Sequence, residues 1–248
     1  RGQQSSQASG QTRSQALGDA SQTPGPPPDQ QRGQQSSQAS GQQSGQTASQ
    51  QRGQADGQPF AQASILPVFL PFAGCPQRCI FCDQSAQTGQ TPEPLHALYD
   101  RLEAQLSATP SAPPQELAFY GGTFTALPEP WPQRFLVLAA RFLATGRITR
   151  VRCSTRPDAV DPAQLAAFKA LGLSLVELGV QSFDDAALLA SRRGYDGATA
   201  RRACKAVRQA GLGLGIQLMP GLPGHNLRAF QDDVTQAADF APELARLY

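Results

Sequence analysis

The first 59 residues contain no Phe, Trp, Tyr, Val, Ile, Met or Cys, and Leu17 is their one large aliphatic side chain. Gln, Ser, Gly, Ala and Pro make up most of the remainder. A segment this poor in apolar surface cannot offset the entropy of fixing its backbone, so residues 1–59 are expected to form a disordered Gln/Ser/Gly-rich tail. Residues 32–42 repeat residues 1–11 letter for letter, and a partial third copy starts at Arg52. The period is too irregular and too polar for a stacked repeat, which leaves low-complexity duplication. Self-association through a Gln/Ser-rich segment is the functional alternative.

Other absences bound the remainder of the chain. No apolar run reaches the roughly 18 residues that a membrane-spanning helix needs, and no charged-then-apolar leader pattern opens the chain. Neither sign of charge prevails: 21 Lys and Arg stand against 19 Asp and Glu. That balance carries no global nucleic-acid footprint, although a local patch is compatible with it. Cysteine is scarce, five in 248 residues, but three fall between positions 75 and 82. Clustering of that kind fits an intracellular metal site better than a disulfide framework, and the cytoplasm is the expected compartment.

From position 63 onward short apolar runs alternate with helical patterns. Strands are predicted over 65–70, 116–120, 148–154, 173–180, 212–219 and 244–248. Helices are predicted over 92–106, 131–143, 162–171, from 184, over 197–210 and over 227–240. Asp161 followed by Pro162, with Gln164 at capping-box spacing, marks one helix start, and Gly172 marks its end. Near-continuous apolar strands separated by helices predict an α/β fold with a parallel sheet covered by helices. Six βα units are too few for a closed eight-stranded barrel. A start without Met and a stop inside a strand predict a fragment of an incomplete barrel. Ligands in such folds gather at the carboxyl ends of the strands. The punctuated stretches Cys75–Cys82, Gly121-Gly122, Ser154–Asp158, Gln181-Ser182 and Pro220–Gly224 all fall there.

Cys75, Cys79 and Cys82 present three thiolates on one loop. A four-iron cluster normally takes four, so three leave one iron open to a small chelating molecule. The alternative is a closed zinc site with four donors, for which His96, His225, Cys153 and Cys204 are the candidate fourth ligands. In that case the chain is a non-catalytic metal-binding module with an interaction tail. Cys204 shares an apolar helix face with Ala200, Ala203 and Val207, where a thiol packs as a small hydrophobe.

The Cys-x3-Cys-x2-Cys triad, with Phe81 before its last cysteine, resembles the hallmark of the radical S-adenosylmethionine (radical SAM) superfamily. The phrases Phe119-Tyr-Gly-Gly-Thr-Phe124, Ser154-Thr-Arg-Pro-Asp158, Glu177-Leu-Gly-Val-Gln-Ser182 and Gly221-Leu-Pro-Gly224 come after it in order. They are similar to those of the branch containing the Elongator catalytic subunit and oxygen-independent coproporphyrinogen oxidase. The resemblance implies a partial (β/α)6 barrel over 60–248, cut short at its C-terminal end. It implies a 4Fe-4S cluster on Cys75, Cys79 and Cys82, with the S-adenosylmethionine amine and carboxylate chelating the open iron. An electron from a reductant such as flavodoxin or ferredoxin would then cleave the sulfonium to give methionine and a 5′-deoxyadenosyl radical.

The resemblance also assigns cofactor-binding roles. Gly121, Gly122 and Thr123 correspond to the family segment that receives the cofactor amine, with Thr123 where the family often has Glu. Gln181 corresponds to a ribose contact. Arg193, beside Arg192, corresponds to an arginine on the ribose or carboxylate, and Phe81 to the aromatic within the cluster loop. Gln217 to Met219, with Gly221, match the adenine-side backbone. Ser154, Thr155, Arg156 and Asp158 either bind substrate or solvate their loop. Arg201, Arg202, Lys205 and Arg208 form the outer face of one helix, either a solvated face or a phosphate contact. The substrate implied is tRNA or a small polyanionic molecule.

Overall fold

The computed structural model describes residues 64–89, 91–108 and 113–248. The tail expected over 1–59 lies outside them. Six strands succeed one another, β1 (Ser64–Phe69), β2 (Gln115–Tyr120), β3 (Ile148–Thr155), β4 (Leu173–Gln181), β5 (Gly213–Leu218) and β6 (Leu244–Leu247). They lie side by side in sequence order, each paired in parallel with the next, and curl into a half-barrel. Parallel neighbours need a crossover, which helices supply here. These are α1 (Gln84–Thr88), α2 (Leu95–Ala108), α3 (Trp131–Ala144), α4 (Pro162–Ala170), α5 (Asp185–Ala190), α6 (Gly197–Gln209) and α7 (Leu227–Asp239). The register pairs Phe69 with Tyr120 and Gln181 with Leu218, so the carboxyl ends of these strands form one rim.

Alternate strand residues face the helices and build the core: Leu66 and Val68, Leu117 and Phe119, Val151 and Cys153, Val176 and Leu178, Leu214 and Ile216. Phe119 packs against Phe124 and Phe135, with ring centroids 4.7 and 5.4 Å apart. Burying each such side chain contributes about 1.5–3 kcal/mol. Helix starts obey the cap chemistry read from the sequence. Asp161 accepts from the Gln164 amide at 2.8 Å, ahead of Pro162. Asp184, Asp196 and Asn226 cap α5, α6 and α7 in the same way.

Two features add to the sequence reading. Part of the inner face of the half-barrel lines a cavity, through side chains such as Pro67, Phe69, Ser154 and Gln217, while Arg152 and Glu177 on the same sheet are buried. The second is α1, directly after the cysteines, which no apolar period announces because it is short and polar. Its ends do carry signals, with the Asp83 side chain accepting from the Ala86 amide at 3.0 Å and Gly89 in the left-handed conformation.

The turn after β5 is tied to α7 by a buried pair. His225 Nε2 stands 3.0 Å from Asp233 Oδ2, and both side chains are almost wholly buried. The other carboxylate oxygen, Oδ1, accepts from the Phe183 amide at 2.7 Å. Asp233→Ala removes the acceptor for the buried Phe183 amide and the carboxylate beside the buried imidazole together. Urea unfolding of that variant is expected to show a loss of about 1–3 kcal/mol, and a loss within experimental error would show that the pair is not structural.

Candidate active site

The cysteine loop is fastened to the end of β2 by backbone contacts that only glycine permits. A Cβ on Gly74 (φ 73°) would enter the Thr123 carbonyl, and one on Gly122 would enter the carbonyls of Leu70 and Ala73. That closeness lets the Thr123 amide donate to Ala73 O at 2.8 Å. The Thr123 hydroxyl lies 3.2 Å from Cys75 Sγ, so the position that lacks a charged group still contacts the metal loop. Gln84 of α1 completes the fastening, accepting from the Phe72 amide at 2.6 Å and donating to Gly121 O.

All three clustered cysteines line one cavity of about 620 Å³ at the rim. Cys79 is buried, whereas Cys75 and Cys82 are half-buried. Burial raises the Cys82 thiol pKa; a hydrogen bond from Gln84 opposes this, and the neighbouring thiols Cys79 and Cys75 add to it. The candidates for a fourth ligand do not join them. Burial pushes the Cys153 thiol up strongly and the Cys204 thiol up to about 12. Neither thiol lines the cavity, nor does His96, and His225 is engaged with Asp233. A zinc site draws four donors to one point. Among the described residues no three His, Cys, Asp or Glu side chains are gathered that way. In a four-iron cluster each thiolate serves its own iron, which suits a wider spread.

Two guanidiniums close on Cys79. Arg193 Nη1 donates to its Sγ at 3.0 Å and Arg156 Nη1 at 3.7 Å. Arg156 is held bidentately by Asp158 at 2.8 and 2.9 Å. Among the described residues Arg193 has no such carboxylate. Its other donors reach Gly179 O and the hydroxyl of Tyr195, and it is only 5% exposed. Burial works against its charge, but Tyr195 and Cys79 outweigh it, so its pKa moves upward. Burial holds the Tyr195 phenol protonated, pushed up to about 12. A buried cation needs polar partners for its donors, and the Cys79 sulfur accepts at the remaining edge of this fork. The guanidinium carbon of Arg193 also lies over the Phe81 ring, 5.7 Å from its centroid.

Gln181 ends β4 in a left-handed conformation (φ 67°), a strained state for a residue with a side chain. Phe72 and Arg192 share that strain beside the site. Gln181 is nearly buried, and its Oε1 has no hydrogen-bond partner. An unpaired acceptor at the wall of a cavity asks for a donor from a ligand.

The structure thus brings Phe81, Gly121, Gly122, Thr123, Gln181 and Arg193 together around the thiols, along with Ser154, Thr155, Arg156, Gln217 and Met219. Arg192 does not line the cavity; its carbonyl accepts from Gln77 at 2.8 Å. Gly221 and the basic face of α6 also lie outside it. Sequence reasoning missed Gln84, Tyr195 and the group of Tyr120, Glu177 and Arg246. Apart from the Tyr195 contact with Arg193, two residues away, the hydrogen bonds that matter there join residues well separated in the chain, and no local pattern marks them.

The Radical SAM superfamily pattern matches residues 69–237, more than half of the chain. The chain belongs to this superfamily. It is 25% identical over 227 residues to the tRNA uridine(34) acetyltransferase of Methanocaldococcus infernus, covering 75% of this chain and 42% of that protein. It is 28% identical over 198 residues to the oxygen-independent coproporphyrinogen III oxidase of Paracoccus denitrificans, covering 77% and 43%. It is 26% identical over 184 residues to the heme chaperone HemW of Escherichia coli, covering 71% and 48%. The chain spans less than half the length of these relatives.

The fold matches the coproporphyrinogen III oxidase HemN of Escherichia coli at a TM-score of 0.57 and 20% identity, covering 75% of this chain and 44% of that one. It matches the archaeal Methanocaldococcus infernus Elp3 at 0.55 and 20%, covering 75% and 46%. Superfamily membership brings a 4Fe-4S cluster and S-adenosylmethionine as cofactors. The residues present fit both, with three thiols on one cavity, a cationic pair at Cys79 and an open acceptor at Gln181.

A cation stabilises the more negative, reduced state of a cluster beside it. Arg156→Gln is therefore expected to lower the midpoint potential of the loaded cluster by about 30–60 mV, 59 mV being a tenfold change for one electron. Arg156→Lys should restore most of the shift. Redox titration with electron paramagnetic resonance detection checks this, and an unchanged potential would remove the clamp from any role in tuning.

Proposed function

We propose that this chain is a cytoplasmic radical SAM enzyme whose active site is the rim cavity. The observation that carries the reading is that the three thiols of Cys75, Cys79 and Cys82 share one cavity with the unpaired Gln181 Oε1. When bound, the cluster and S-adenosylmethionine supply a one-electron cleavage that yields methionine and a 5′-deoxyadenosyl radical, the electron coming from a reductant such as flavodoxin or ferredoxin. The three cysteines hold the cluster. Arg193 and Arg156 hold Cys79 in place and offset its charge. Gln181 accepts from a ribose hydroxyl, and the carbonyl-rich end of β2 at Gly121, Gly122 and Thr123 receives the cofactor amine. Phe81 fixes the orientation of Arg193.

The substrate reading comes from the relatives. A tRNA uridine is one target and a small polyanion the other. The exposed cations of α6, Arg202, Lys205 and Arg208, support an anionic partner: Arg202 pairs with Thr199, beside the Asp196 carboxylate, and Arg208 with the Ala241 carbonyl. Arg201 is half-buried, pairs with Gln236 and shares a pocket with Asp184, Asp185, Asp232 and Asp233.

Anaerobic reconstitution with iron and sulfide is expected to give about four irons per chain. Dithionite and S-adenosylmethionine should then release 5′-deoxyadenosine, and Cys79→Ala should abolish both the cluster and the product. A fully loaded protein that never cleaves the cofactor would sink the enzymatic reading. If tRNA is the partner, its binding should weaken steeply with salt, with a log–log slope that shrinks in a variant carrying Arg202→Gln and Lys205→Gln. A slope near zero in the parent chain would favour the small polyanion.

A further inference from the structure

The cavity carries an imbalance of charge. Among the described residues four guanidiniums line it, those of Arg78, Arg156, Arg193 and Arg246, and no Asp or Glu does. Arg156 and Arg193 are engaged with Cys79, and Arg78 lies over the Phe72 ring at 4.1 Å. Arg246 stands apart on β6. Its Nε donates to Glu177 Oε2 at 2.8 Å and its Nη2 to the Tyr120 hydroxyl at 3.4 Å.

Glu177 is completely buried behind it and is shared. Arg152 Nε lies 3.5 Å from Oε1, the Tyr120 hydroxyl donates to Oε1 at 3.4 Å, and Gln217 Nε2 donates to Oε2 at 3.4 Å. Arg152 has Glu116 as a second carboxylate neighbour, at 3.5 Å, so the group holds two guanidiniums and two carboxylates. Among the described residues Glu177 is the carboxylate paired with Arg246, which it holds in one orientation while the arginine side chain remains 37% exposed. The inner residues of β1, Pro67 and Phe69, line the same cavity, and the Phe69 ring lies 6.2 Å from that of Tyr120. A fixed, half-exposed guanidinium beside an apolar, partly aromatic wall suits a planar ring that carries an oxyanion.

We propose that Arg246, aimed by the buried Glu177, is an anion site for the substrate, taking the phosphate or carboxylate of a molecule whose planar ring rests against Pro67 and Phe69. Calling the ligand a substrate rests on the radical SAM reading of the rim cavity; the anion site itself does not. Tyr120 supports the arrangement from the end of β2, with its phenol pKa raised, chiefly by burial and then by Glu177.

Equilibrium dialysis of the full chain with uridine 5′-monophosphate, uridine and phthalate tests the site. The monophosphate should bind more tightly than uridine. Arg246→Gln should weaken the monophosphate roughly tenfold or more, the worth of a charge-assisted hydrogen bond, and leave uridine unaffected. Arg246→Lys should recover part of the loss. Glu177→Gln, which removes the counter-charge and keeps an acceptor for Arg246, should tighten the monophosphate, a gain that a damaged fold does not give. Displacement of the monophosphate by phthalate supports an oxyanion site open to carboxylates; failure of phthalate to displace it supports one selective for phosphate. Equal binding of uridine and its monophosphate, or unchanged binding in both the Arg246→Gln and Glu177→Gln proteins, overturns the proposal. Wild-type chain that binds the monophosphate but forms no 5′-deoxyadenosine would overturn the radical reading and leave the anion site standing.

Discussion

A buried guanidinium with no carboxylate partner among the described residues is the constraint around which this rim is built. Arg193 is fixed by Tyr195 and the Gly179 carbonyl, and the remaining edge of its fork faces Cys79. Neither the tyrosine, which burial keeps protonated, nor a backbone carbonyl brings a full negative charge. That edge therefore suits a sulfur that also serves as a ligand to a metal group. Arg156 repeats the theme from the end of β3, with Asp158 orienting it, and so couples the third strand to the second cysteine of the triad.

The rest of the site depends on how closely the cysteine loop can approach β2. Gly74 and Gly122 let two backbones meet without side chains between them, and Thr123 then touches both the Ala73 carbonyl and Cys75. The loop is held at its first cysteine by β2, at its second by guanidiniums that come after β3 and α5, and at its third by Gln84 of α1. Three separate connections fix three thiols, so the loop needs no disulfide or further ligand to keep its course.

Much of this was legible in the sequence, and the limit has a physical origin. The order of strands and helices, the Asp161-Pro162 start and the cysteine spacing are local patterns, and local patterns survive in one dimension. Gln181 could be singled out by resemblance, but its left-handed backbone and unpaired oxygen could not. Glu177 was quoted only as part of a phrase, and a strand glutamate gives no sign of the two guanidiniums that converge on it from β3 and β6. The apolar strands correctly announced a parallel sheet covered by helices, but which of their residues line the cavity, such as Pro67, Phe69 and Gln217, depends on the curl of the sheet, and curvature is not written in hydrophobicity alone.

The position of Pro67 has a consequence for the edge of the sheet. It lies in β1, the edge strand of the sheet, and it contributes no amide hydrogen to that edge. An edge so interrupted is a poor template for a further strand. The half-barrel is thereby discouraged from zipping shut through β1, whether with a second copy of itself or with a stray segment.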